Sequence, residues 1–270
     1  MAVKHKIKII YFSTASVLGQ GNRVVEEADK YGSDYIKSKP EFYFSVHAPE
    51  LFKGDHILDL CSEDSEYRQI SLDNMKMVIE HVKELRNQFN PQKDPILVIN
   101  AGGWNRDGFI SKEQKTQKYR ILKESLSNLD LESISLAIQT MPPFPWHFGG
   151  QSFHNLFVDP KEINDFCSET GFKVCLDVSH SMMACNYYGW DLKDFIERIK
   201  DDISYLHIVD CKGYDGEGIQ IGEGDVNFEE LSKTLNKLCP QVPFIPEIWQ
   251  GHKDSGEGFW KALDFLEFYF

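Results

Sequence analysis

"DPKEINDFCSETGFKVCLDVSH" occupies residues 159–180 and reads as one complete helix-to-strand unit. Asp159 is placed to cap a helix, Pro160 suits its first position, and Glu162 follows in the first turn. Gly171 can adopt the left-handed conformation that ends a helix. The run Val174-Cys175-Leu176 is continuously apolar, as a parallel strand covered on both faces should be. It closes on Asp177, and His180 follows three residues later. A carboxylate at the end of a buried strand is costly unless something compensates its charge. The unit therefore raises the question of function together with that of fold.

The same pattern recurs along the chain. Nearly continuous apolar runs lie at 7–12, 42–48, 95–102, 133–139, 173–178, 203–209 and 243–249. Helical patterns fall between them. Met75, Val78, Ile79, Val82, Leu85 and Phe89 make one stripe within 72–89, with the spacing of an amphipathic helix. Ser111 and Gln114 form a capping box ahead of Ile121, Leu122, Leu126 and Leu129. Asn227 plays the same part before Leu231, Leu235 and Leu238, and a last helix is expected after 255–259. A weaker helix at 22–31 precedes a weaker strand at 33–38. Strand then helix, repeated, means βα units and a parallel sheet. The pattern predicts a single domain over 1–270, a (β/α)8 TIM barrel whose helix after strand 2 is short or missing. An open doubly wound sheet is the alternative, disfavoured because no G-x-G-x-x-G follows the first strand.

Composition narrows the function. With 29 basic and 42 acidic residues the net charge is −13, which repels phosphate backbones and makes nucleic acid an unlikely partner. No run of 18 apolar residues suggests a membrane span, and the short apolar patch near the N-terminus suits a first strand better than a signal peptide. The six cysteines have no paired spacing, which is the usage of reduced thiols in the cytoplasm.

In a barrel, chemistry gathers at the C-terminal ends of strands. Here those ends carry His47 and Glu50, Asn100 and Trp104, Gln139, Asp177 and His180, His207 and Asp210, and Glu247. One polar residue closing a strand is ordinary; six strands ending this way is not. Converging on one mouth, Asp177, His207 and Glu247 would offer oxygen, nitrogen and oxygen ligands to a divalent metal.

Taken in order, "FSVHAPE" (44–50), "EYRQIS" (66–71), "CLDVSH" (175–180), "YLHIVDCKG" (205–213), "IGEGDVNF" (221–228) and "PEIW" (246–249) resemble the xylose isomerase-like TIM barrel superfamily over roughly residues 42–250. That superfamily includes sugar isomerases and epimerases, inosose dehydratases and the endonuclease IV branch. The resemblance implies one divalent metal ion (Mn, Zn, Mg or Co) held by a Glu, an Asp, a His and a second Glu. The matching positions are Gln139, Asp177, His207 and Glu247. The chain departs from the pattern at the first, where a neutral amide lowers the ligand charge from −3 to −2. The endonuclease branch uses three zinc ions and further histidines. His47 and His180 match two of those positions, but Asn100 replaces a third.

The resemblance thus implies a metal-assisted sugar or sugar-phosphate isomerase or epimerase, with Glu247 moving the proton and His180 as a stand-in second base. His47, Asn100, Trp104, Lys212 and His252 are candidate substrate contacts, Trp104 by stacking on a sugar face. With one family glutamate replaced, one-face isomerisation is favoured over two-base epimerisation. The alternatives are a non-catalytic sugar-binding barrel and an endonuclease IV-like phosphodiesterase. The loop at 142–151, with its prolines, glycines and aromatics, is a candidate lid.

Overall fold

The computed structural model describes residues 9–13, 43–147 and 150–270. The helix expected at 22–31 and the strand expected at 33–38 lie outside them. The described residues divide into two compact units, one built from 9–13, 43–103 and 111–138, the other from 104–110, 139–147 and 150–270.

In the first unit β1 (Ile9–Ser13), β2 (Tyr43–His47), β3 (Ile96–Ile99) and β4 (Ser135–Gln139, whose last residue is counted to the second unit) pair in that order. Every pairing is parallel, with Ser45 opposite Ile96 and Ile99 opposite Ile138. Two helices serve as the return connections of β2 and β3, α1 (Ser65–Phe89) and α2 (Lys112–Ser127). The apolar stripe of α1 is buried through Met75, Val78, Ile79, Val82 and Phe89. Such side chains each contribute roughly 1.5–3 kcal/mol when fully covered. The helix begins at Ser65, ahead of the stripe, because the Asp64 side chain accepts from the N–H groups of Glu66 and Tyr67. Ser111 and Gln114 make the expected capping box on α2.

In the second unit β5 (Lys173–Asp177), β6 (Ile203–Ile208) and β7 (Phe244–Pro246) are again parallel, with Asp177 opposite His207. Around them run α3 (Pro160–Thr170), α4 (Val178–Tyr188), α5 (Leu192–Ile199), α6 (Phe228–Leu238) and α7 (Lys253–Leu266). The opening stretch folds as its residues dictate. Asp159 caps α3, Pro160 opens it, and Gly171 closes it at φ 78°. Helices α4 and α5 each begin on an aspartate cap, Asp177 and Asp191, and α5 buries Phe195, Ile196 and Ile199 along one face. Helix α7 starts at Lys253, earlier than the sequence suggests. Strand ends extend into two-stranded ribbons, among them Asp210–Lys212 paired antiparallel with Gly216–Ile219. Among the described residues no helix is long and apolar enough to cross a membrane, and all six cysteines are free and buried.

Candidate functional site

The site is built at the strand ends of the second unit. Asp177 is 1% exposed and is at once the last residue of β5 and the cap of α4. Its Oδ1 accepts from the His180 N–H at 2.8 Å. Its backbone N–H donates to Thr140 Oγ1 at 2.9 Å, and that hydroxyl lies 3.0 Å from Ser181 Oγ. Position and rotamer of Asp177 are therefore fixed by backbone and hydroxyl contacts, which leaves Oδ2 for chemistry.

Three side chains meet Oδ2. Gln139 Nε2 donates to it at 2.9 Å, His207 Nδ1 stands at 3.6 Å and His180 Nδ1 at 3.7 Å. Gln139 Nε2 is also 3.1 Å from His207 Nδ1, and Glu247 Oε2 lies 2.6 Å from the same nitrogen. His207 Nδ1 is thus the point on which Gln139, Asp177 and Glu247 converge. Its single proton cannot serve both neighbours: donating to Glu247 excludes accepting from Gln139.

His180 continues the arrangement outward. Its Nδ1 donates to the Thr140 carbonyl at 2.9 Å, and its Nε2 lies 3.4 Å from Glu217 Oε2. Burial works against a charge on this ring. The carboxylates of Asp177 and Glu217 and the Thr140 carbonyl outweigh it, so the pKa is pushed up to about 10. For His207 burial again opposes protonation, and the Cys175 sulfur, Glu247 and Asp177 together raise the pKa well above the ordinary histidine range.

The donors fit a divalent cation. Two carboxylates, an imidazole nitrogen and an amide are hard-to-borderline ligands. The three contacts at His207 Nδ1 span 2.6–3.6 Å, which brackets the roughly 3.0–3.4 Å that separates ligands around an ion with bonds near 2.1 Å. The Gln139 amide would have to present Oε1 rather than Nε2. As found, its N–H takes the part of the positive charge, compensating Asp177.

The remaining sequence candidates divide. Trp104 belongs to the same unit, where its ring meets His147 edge-on at 5.8 Å between centroids. Lys212 is tied to Asp225 at 2.7 Å, and His252 is exposed at the start of α7. His47 and Asn100 lie at the ends of β2 and β3 in the first unit. There His47 Nδ1 is 2.7 Å from the Ala48 carbonyl, and Asn100 Nδ2 donates to Glu50. Glu217 was absent from the sequence candidates. It sits in a Gly-Glu-Gly stretch that neither ends an apolar strand run nor shows a period.

Comparison with known proteins agrees with this architecture. An uncharacterized protein of Methanocaldococcus jannaschii, MJ1614, is 26% identical over 245 residues, covering 85% of this chain and 86% of that one. The crystal structure of a D-tagatose 3-epimerase-like protein superposes with a TM-score of 0.67 at 17% identity, over 98% of this chain and 89% of its own. D-psicose 3-epimerase from Clostridium cellulolyticum H10, solved with D-tagatose, gives 0.64 at 14% identity, over 98% and 89%. At these identities the two structures speak for the fold alone, the barrel that the strand and helix pattern predicts. Residues 19–268 match the family described as xylose isomerase-like TIM barrel, and the chain belongs to that family.

Proposed function

We propose that this chain is a one-domain enzyme that isomerises or epimerises a carbohydrate, with a divalent cation held by Asp177, His207, Glu247 and the Gln139 amide oxygen. The observation that carries the reading is the convergence of those side chains at His207 Nδ1, with contacts of 2.6–3.6 Å. The sugar epimerases among structures of like fold support the substrate class. A bound divalent cation would polarise a sugar carbonyl and offset the negative charge that develops on it.

The protein's own groups do the rest. Asp177 and His207 are inaccessible, whereas the Glu247 side chain is 34% exposed, so a substrate carbon can reach it. Pro246 precedes it and lacks a backbone donor, which fixes the strand end. Glu247 is the base that removes the proton next to the carbonyl. His180, His47, Asn100, Trp104 and His252 are the proposed contacts to sugar hydroxyls and ring faces. Lys212 is the weakest member of that group, since Asp225 already occupies its charge. The six buried thiols suit a reducing compartment, and we place the enzyme in the cytoplasm.

The test is a panel of aldoses, ketoses and their phosphates incubated in D2O with Mn²⁺, Zn²⁺, Mg²⁺ or Co²⁺. The wild type is expected to exchange carbon-bound hydrogen for deuterium in at least one sugar. Glu247→Gln should slow this by about 10²-fold or more, the contribution of a general base, while the sugar still binds. Undiminished exchange in the variant would remove Glu247 from the mechanism. One observation favours a second reading. The Gln139 amide already compensates Asp177, as a barrel that binds sugar without turnover would require; such a protein would bind the sugar and exchange nothing.

A further inference from the structure

The titratable groups of the site form a row in which carboxyl and imidazole groups alternate: Glu217, His180, Asp177, His207 and Glu247. Successive distances are 3.4 Å, 3.7 Å, 3.6 Å and 2.6 Å. The three inner members are covered, with side chains 14%, 1% and 0% exposed, while Glu217 and Glu247 at the two ends are 37% and 34% exposed. The row thus ends at both extremes in a partly exposed carboxyl group, with the buried aspartate between them along it. The family pattern would put its second glutamate at position 139, where this chain has an amide that cannot exchange protons.

Glu217 is held in place by the fold. It sits on the ribbon strand Gly216–Ile219. The next residue, Gly218, takes φ 73°, donates to Ser179 Oγ at 3.4 Å and accepts from the Trp249 N–H at 2.8 Å. A Cβ on Gly218 would come within 3.0 Å of Trp249 Cβ, so glycine is what permits the clasp. That clasp ties the ribbon to the first turn of α4, which carries His180, and to the segment that carries Glu247.

We propose that Glu217 is the second proton-transferring residue of this site, so that a hydrogen removed at one face of the substrate carbon is returned at the other. The inference rests on the carbohydrate reading above. In the step, Glu247 takes the proton on the carbon beside the carbonyl, and the C–H electron pair moves into the carbonyl group. Glu217, entering the cycle with a proton, delivers it to the opposite face as the pair returns to carbon. Glu247 then loses its proton to water and Glu217 regains one. Nothing is oxidised or reduced, and the configuration at one carbon is inverted. The reverse reaction exchanges the two roles.

The experiment compares wild type, Glu217→Gln and Glu217→Asp on the same sugar panel in D2O, following two quantities: formation of the epimer and incorporation of deuterium into unreacted substrate. Removing one base of a two-base site stops inversion but leaves the other base free to exchange the hydrogen on its own face. The expected result for Glu217→Gln is a loss of inversion of about 100-fold or more, with deuterium incorporation held within about threefold and an unchanged melting temperature. Glu217→Asp should recover part of the inversion. A residue that merely supported the ribbon would depress both quantities together, and that outcome overturns the proposal. So does an epimer formed at the wild-type rate by Glu217→Gln, or a wild type that exchanges deuterium and isomerises without inverting any carbon; in both cases the carbohydrate reading survives. A wild type inert toward every sugar overturns both.

Discussion

Asp177 and Asp210 both follow apolar strand runs, and both are hidden from solvent, at 1% and 0% exposure. They do opposite jobs. Asp210 has its oxygens filled by backbone donors: Oδ1 accepts from Cys211 at 2.8 Å and Val226 at 3.0 Å, and Oδ2 from Gly222 at 3.0 Å and Gly224 at 2.8 Å. The stretch 221–228 is wrapped around this carboxylate so tightly that a Cβ on Gly224 would fall 2.2 Å from Oδ1. Asp177 gives one oxygen to the cap of α4 and turns the other toward Gln139, His180 and His207. Burial of a carboxylate therefore says little about function. What separates a structural aspartate from a reactive one is whether its lone pairs are taken by the backbone or left to side chains that a ligand can displace.

The contrast breaks most readily at Asp210. In Asp210→Asn one oxygen becomes an amide nitrogen, and two of the four N–H groups lose their acceptor. Hydrogen bonds to a charged group are each worth about 1.5–3 kcal/mol, so the expected loss of folding stability is roughly 3–6 kcal/mol. Urea unfolding of the metal-free protein measures it. A loss below about 1 kcal/mol would mean that the four backbone contacts do not hold the 221–228 loop.

Gln139→Glu sharpens the other half. In the metal-free protein it replaces the amide N–H that faces Asp177 with a further carboxylate near Glu247. Like charges in a buried site repel, and stability should fall by about 2 kcal/mol. A ligand that binds only the folded state restores stability in proportion to its affinity. Mn²⁺ or Zn²⁺ should therefore raise the melting temperature of Gln139→Glu more than that of the wild type. An equal response in both proteins would exclude position 139 from the cation shell.

The same distinction decides how much could be read from the chain. The fold was legible because each helix-strand unit carries its own punctuation, as Asp159, Pro160 and Gly171 do around α3. Asp177, His207 and Glu247 were legible because a polar residue that closes an apolar run stands out, and Gln139 because it interrupts a family pattern. Asp210 stood out by the same signal, and only the fold shows its backbone donors. Lys212 stood as a candidate substrate contact, and only the fold brings Asp225, from the 221–228 stretch, against its amine. Glu217 gave no signal, because its meaning comes from a ribbon pairing and a glycine clasp that join segments far apart in sequence. Helix α4 escaped for a related reason: its residues are largely buried, so no polar face marks its period, whereas Phe195, Ile196 and Ile199 of α5 do keep a helical spacing.

Asp177→Asn should be the gentlest of these substitutions for the fold, although it alters the centre of the site. Asparagine caps a helix about as well as aspartate, so Oδ1 keeps its contact with the His180 N–H. The new amide nitrogen faces Gln139 Nε2, and a half-turn of the Gln139 amide brings Oε1 in to accept from it. His180 loses one of the carboxylates that hold its proton and retains Glu217 and the Thr140 carbonyl. The expected cost in the metal-free protein is below about 1 kcal/mol, within the range in which one hydrogen bond is exchanged for another, against several for Asp210→Asn under the same conditions. The response to a cation should behave in the opposite way. The rise in melting temperature with Mn²⁺ or Zn²⁺ should vanish in Asp177→Asn, because one of the two ligand carboxylates is gone. Equal destabilisation by the two asparagine substitutions, measured side by side in urea with EDTA, would show that Asp177 is as structural as Asp210. A preserved cation response would place the ion elsewhere.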